Sequence, residues 1–108
     1  LVGINWYNSL DRPELDKTNR RAYLRLDRGS GVRGGHELEV NGIDLAPAEG
    51  PQFYRLKNSW GRAWPADEID VDPAEVLGSG TARIACEDLE FLVFSDGGDA
   101  VLVTETAI

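Results

Sequence analysis

Gln52-Phe53-Tyr54-Arg55-Leu56-Lys57-Asn58-Ser59-Trp60-Gly61-Arg62-Ala63-Trp64 is the stretch that decides how this chain is read. Residues 52–56 have the aromatic and aliphatic character of a strand, and they run straight into a turn flanked by two tryptophans. An asparagine amide that holds another polar side chain needs a rigid, water-poor setting, and an indole two residues on supplies such cover. Asn58 therefore asks for a polar partner elsewhere in the chain.

Further upstream, Gly29-Ser30-Gly31-Val32-Arg33-Gly34-Gly35 reads as a flexible loop that delivers the only histidine, His36, to Glu37-Leu38-Glu39-Val40-Asn41-Gly42-Ile43. The latter run has period two, with Leu38 and Val40 on one face and Glu37 and Glu39 on the other. His36 is thus placed at a loop-to-strand junction, where glycines permit close backbone approach. The same glycines fit a plain tight turn, and a lone histidine is more often structural than functional. A phosphate cradle is excluded, because no helix follows the glycines and no GxxxxGK[ST] pattern is present. Residues 44–51 carry two prolines and read as a loop. The strand over 37–43 can then lie beside the strand over 52–56.

The remaining elements follow the same logic. Leu1 to Tyr7 reads as a buried strand that ends at the turn formers around Pro13. Residues 16–21 form a charged excursion, and residues 22–26 alternate as a half-exposed strand does. Five of the nine arginines fall between Arg20 and Arg33, which reads as a solvated face. Residues 65–77 form an exposed acidic loop whose spacing does not fit a calcium-binding loop. Thr81 to Ala85 is a strand, Glu87 to Val93 a short helix with acids in its first turn, and Ala100 to Thr104 a final strand. The sum is a mainly β chain, α+β overall, with an antiparallel, barrel-like architecture and one short helix in a single domain over 1–108.

Composition narrows the function classes. With 108 residues, a formal net charge of −8 and a pI of about 4.5, the chain lacks the basic surface that nucleic acid or an anionic membrane requires. No apolar run reaches the roughly 18 residues of a membrane span. One Cys and one His make neither an internal disulfide nor a structural zinc site, so no metal or other cofactor is expected. The absence of methionine and the abrupt apolar start at Leu1 point to a piece of a longer chain. The preference for arginine over lysine, with abundant Ala, Gly and Asp, points to a GC-rich genome.

Lys57-Asn58-Ser59-Trp60-Gly61-Arg62-Ala63-Trp64 resembles the KNSWGxxW signature of papain-like cysteine peptidases. Gly34-Gly35-His36 and the strand after it resemble the Gly-His strand of that family, in the same order along the chain. Val2-Gly3-Ile4-Asn5-Trp6-Tyr7 and Gly80-Thr81-Ala82-Arg83-Ile84 are similar to two further strands, and Gly98-Asp99-Ala100-Val101 echoes the ending of bacterial or phage members. The resemblance covers nearly the whole chain and implies the β-rich C-terminal half of that fold. It further implies that His36 is the acid/base and Asn58 its orienter, with Trp60 shielding their hydrogen bond and Trp64 lining the leaving-group side of the cleft. The partners it implies are a peptide or protein substrate and a Cys-bearing N-terminal half, in the same parent chain or another.

No nucleophile is expected within these residues. Cys86 is flanked by Glu87 and Asp88, which are expected to raise its thiol pKa, and it reads as a small structural residue at a helix start. Glu37, Glu39, Pro65 and Thr81 depart from the family pattern around the cleft. Two functions follow from the resemblance: the His/Asn-bearing part of a peptidase, inactive without its Cys-bearing half, or a catalytically dead papain-like module acting as an acidic binding or structural protein.

Overall fold

Seven strands of alternating or continuous apolar character make one sheet in the computed structural model, which describes residues 1–44, 52–58, 60, 64–76 and 80–100. They are β1 (Val2–Tyr7), β2 (Glu14–Asp16), β3 (Arg21–Leu24), β4 (Val32–Asp44), β5 (Phe53–Lys57), β6 (Thr81–Ala85) and β7 (Asp99–Ala100). Their order across the sheet is β2-β3-β6-β5-β4-β1-β7. Among the described residues a single short α-helix, α1 (Cys86–Glu90), continues into a π-helical turn over Phe91–Ser95. The mainly β, α+β reading therefore holds.

The expectation of a wholly antiparallel, barrel-like sheet does not hold among the described residues. β3 and β6 run parallel, with Tyr23 opposite Arg83 and Leu24 opposite Ile84, so the sheet is mixed. It is also open, with β2 and β7 as its two edges. A parallel neighbour needs a long connection, and β4 and β5 lie between β3 and β6 in the chain. Alternation of apolar residues reveals which face a strand buries, but not the direction in which its neighbour runs.

β1 is the centre of the core. Val2, Ile4 and Trp6 point to one face and are buried, as their period-two spacing dictates, and a register shift after Trp6 buries Tyr7 as well. Across the ladder Val2 faces Leu38, Ile4 faces His36 and Trp6 faces Gly34. β5 and β6 extend the same layer, with Leu56 opposite Ala82 and Tyr54 opposite Ile84. Leu89 of α1 and Leu92 of the π-helical turn are buried in the same core. Each such aliphatic side chain contributes about 1.5–3 kcal/mol relative to leaving it in water.

Two local expectations change. The flexible loop expected over 29–35 is shorter: a 3-10 turn at Arg28–Ser30 and Gly31, at φ 84°, form the bend, and β4 is already under way at Val32. His36 thus lies inside a strand and not at its start. A Cβ on Gly34 or Gly35 would meet nothing within 4 Å, so neither glycine is demanded by a close contact. The acidic stretch over 65–77 is not simply an exposed loop either. Ala66–Ile69 and Pro73–Glu75 form 3-10 turns whose carboxylates face solvent, while Ala66 and Val76 are buried in the core.

The arginines between 20 and 33 are distributed over the surface and paired. Arg25 pairs with Glu14, Arg33 with Asp11 at 2.6 Å, Arg20 donates to the Ala74 carbonyl, and Arg28 lies over the Phe91 ring. The final strand expected from Ala100 onward is described only as β7, and residues 101–104 lie outside the described residues.

Candidate active site

His36 and Asn58 come from neighbouring strands. β4 and β5 are antiparallel, with Glu39 opposite Lys57, so the residue that follows β5 lies alongside the middle of β4. Across a sequence gap of 22 residues, His36 Nε2 and Asn58 Oδ1 are 2.9 Å apart. An amide oxygen accepts only, so the imidazole donates from Nε2–H, and the neutral ring carries its lone pair on Nδ1. Among the described residues Nδ1 has no hydrogen-bond partner.

Asn58 is 4% exposed. Its placement is fixed by backbone as well as by packing: Asn58 N–H donates to the Gly80 carbonyl at 3.3 Å, and Gly80 N–H donates to the Trp64 carbonyl at 2.6 Å. Gly80 has φ 91°, a conformation that L side chains rarely adopt, which accounts for a glycine at this junction. Asn58 and Trp64 are thus both tied to Gly80, the residue that precedes β6.

Two indoles pack against the imidazole and a third backs one of them. The Trp60 ring lies 4.8 Å from that of His36 at an interplanar angle of 31°, and Trp6 meets the imidazole edge-on at 5.2 Å. Trp6 also meets Trp60 edge-on at 5.3 Å. Trp64 stands behind Trp60 at 5.9 Å and is itself 1% exposed, while Trp60 is 43% exposed. Trp60 therefore lies against the imidazole and keeps one face open, whereas Trp64 supports Trp60 from within the core. Aromatic packing of this kind lowers the local dielectric and strengthens a hydrogen bond beside it.

Trp6 is the site residue that sequence reasoning did not single out. Its indole N–H donates to Asp11 Oδ1 at 2.8 Å, and the other oxygen of Asp11 takes Arg33, which locks the ring against His36. The only signal in the sequence is its inward position in β1. That becomes meaningful only once β1 is known to pair with β4.

Cys86 is remote from this constellation, at the first residue of α1. Burial pushes its thiol pKa up, and the carboxylate of Glu90 adds to the shift; Glu87 and Asp88, named from sequence as the cause, are not responsible. A raised pKa leaves less thiolate at any pH below it. Alkylation of Cys86 by iodoacetamide at pH 8 is expected to be slower in the folded chain than in the chain unfolded in urea, and equal rates would contradict the burial. Among the described residues no group of three or more His, Cys, Asp or Glu is arranged to hold a metal ion.

No protein-family profile, curated protein or solved structure matches the chain, so the site is read from its own geometry.

Proposed function

We propose that this chain is the His/Asn-bearing part of a papain-like cysteine peptidase, and that it hydrolyses peptide bonds when a Cys-bearing half supplies the nucleophile. The observation that carries the reading is the 2.9 Å contact between His36 Nε2 and Asn58 Oδ1 beneath the Trp60 ring. Asn58 fixes the tautomer and the direction of the imidazole, which leaves Nδ1 as a base toward whatever is docked there. A thiol placed at Nδ1 gives up its proton to the ring, and the thiolate attacks the peptide carbonyl. The imidazolium then returns that proton to the departing amine, leaving a thioester that water hydrolyses with the same imidazole as base. The seven-stranded sheet, on this reading, is the β-rich half of the papain-like fold in open form.

A second reading, a papain-like module without catalysis that serves as an acidic binding or structural protein, is favoured by one observation. The single thiol of these residues is half-buried at the start of α1, away from His36, and its pKa is raised by burial and by Glu90. The two readings part on the polypeptide that precedes Leu1. Its coding sequence is expected to hold a Gln followed six residues later by a Cys-Trp pair, and the encoded protein is expected to cleave a peptide ester in a manner abolished by thiol alkylation. A Ser or Gly in place of that Cys, with no cleavage, would favour the second reading, and cleavage indifferent to alkylation would overturn the first.

A further inference from the structure

Of the five asparagines in the chain, Asn41 differs from the other four. The amides of Asn5, Asn8 and Asn19 donate to the Asp96 carbonyl, the Ser30 carbonyl and Tyr23 Oη, and that of Asn58 accepts from His36. Asn41 is exposed, and among the described residues its side chain makes no hydrogen bond. It is also the one asparagine followed by glycine. Trp6, Ser9, Arg20 and Ser59 follow the others, and each carries a side chain that crowds its own backbone nitrogen.

The backbone sets Asn41 apart as well. β4 and β5 pair through Glu39–Lys57 and Val40–Leu56, and again from Gly42–Arg55 to Asp44–Phe53, so Asn41 is the extra residue of a bulge. A bulged residue is left unpaired, and the peptide that follows it turns more freely than one clamped in a regular ladder. β1, the other neighbour of β4, pairs only as far as Leu38. Neither adjoining strand therefore holds Asn41 in place.

The Arg55 guanidinium lies over this same peptide. A Cβ on Gly42 would come within 2.5 Å of Arg55 Cζ and Nε. The close approach of that side chain accounts for the glycine, and it sets a positive charge against the backbone of Gly42. An amide nitrogen attacks a carbonyl only as it loses its proton, and the attacked oxygen gains negative charge. A cation held at this position favours both changes.

We propose that Asn41-Gly42 is a site of spontaneous covalent modification, at which Asn41 is converted to aspartate and isoaspartate with the help of Arg55. The Gly42 nitrogen bonds to Asn41 Cγ, the Cγ–Nδ2 bond breaks, and ammonia leaves with the proton that the Gly42 nitrogen gives up. Water then opens the five-membered imide. Addition at the side-chain carbonyl gives aspartate, and addition at the main-chain carbonyl gives isoaspartate. Each product brings a new negative charge beside Arg55, and isoaspartate also lengthens the main chain of β4 by one carbon. The conversion needs neither His36 nor a thiol, so it is independent of the peptidase reading.

The 108-residue chain is kept at pH 8, folded in buffer or unfolded in urea, and every asparagine is followed by peptide mass spectrometry. In the folded chain a gain of one mass unit is expected at Asn41 before any other asparagine, with isoaspartate recognised through its methylation by an isoaspartyl methyltransferase. Hydroxylamine, which traps the imide, is expected to cut the chain after Asn41. The folded chain is expected to convert no more than about threefold more slowly than the unfolded one, and Arg55→Gln to slow only the folded chain, by about threefold, as for a partly exposed charge. That comparison separates the guanidinium from the reactivity of the dipeptide itself. Should Arg55→Gln not fold, the ratio of folded to unfolded rates in the parent still decides. Conversion at another asparagine first, a folded chain protected more than about threefold, or an unchanged rate in folded Arg55→Gln would each overturn the proposal.

Discussion

With a Cys-bearing half supplied as in the proposed reaction, His36→Ala is expected to lower kcat by about a thousandfold, within the range lost when a positioned acid/base is removed. The imidazole is asked to do two things in the proposed reaction, and no other histidine exists in the chain to substitute for it. Asn58→Ala keeps the imidazole but frees its direction, so the expected loss is smaller, about tenfold to a hundredfold, as for a misoriented reacting group. The two variants are distinguished by a readout that folding alone does not move. In the unaltered chain the imidazole 15N signals are expected to report protonation at Nε2 in the neutral ring, and in Asn58→Ala they are expected to shift toward an averaged pair of tautomers. A His36→Ala protein that kept more than about a tenth of the parent activity would remove the acid/base role altogether.

Gly98→Ala is the substitution expected to cost most in stability. A Cβ there would sit 2.5 Å from the Leu92 carbonyl oxygen, 2.6 Å from that of Gly3 and 3.1 Å from Val93 Cα, all of them backbone atoms. A flexible side chain can turn aside from an added methyl, but these three neighbours belong to β1 and to the π-helical turn and move only with them. The expected loss is about 3 kcal/mol, at the upper end for overpacking. In a chain of this size that is a fall in Tm of about 10–20 °C. Gly34→Ala is the matching control, because its methyl would meet nothing within 4 Å. Thermal unfolding of the two variants side by side checks the argument, and equal midpoints would refute it.

The elements that could be read in advance are those whose information is local. β1, β5 and β6 follow from short apolar runs, and α1 follows from the acids after Cys86. The meeting of His36 with Asn58 follows from two strands with a loop between them. What could not be read depends on who pairs with whom. Gly34 and Gly35 look like a loop until β1 is laid beside them, at which point Trp6 faces Gly34 and the backbone enters the ladder. β2, only three residues long and following Pro13, carries too little pattern to be called a strand in isolation. Asp96 lies in what reads as a bare turn, and its partners Asn5 and Tyr7 are 91 and 89 residues away. The same holds for Trp6, whose role beside the imidazole exists only across the sheet.

The ring-to-ring arrangement around His36 uses every tryptophan the chain possesses, since Trp6, Trp60 and Trp64 are its three indoles. Indole emission is sensitive to a charged imidazole in contact with it. The ultraviolet fluorescence of this protein is therefore not an average over scattered chromophores but the signal of one assembly, a built-in optical probe seated on the residue whose charge matters most.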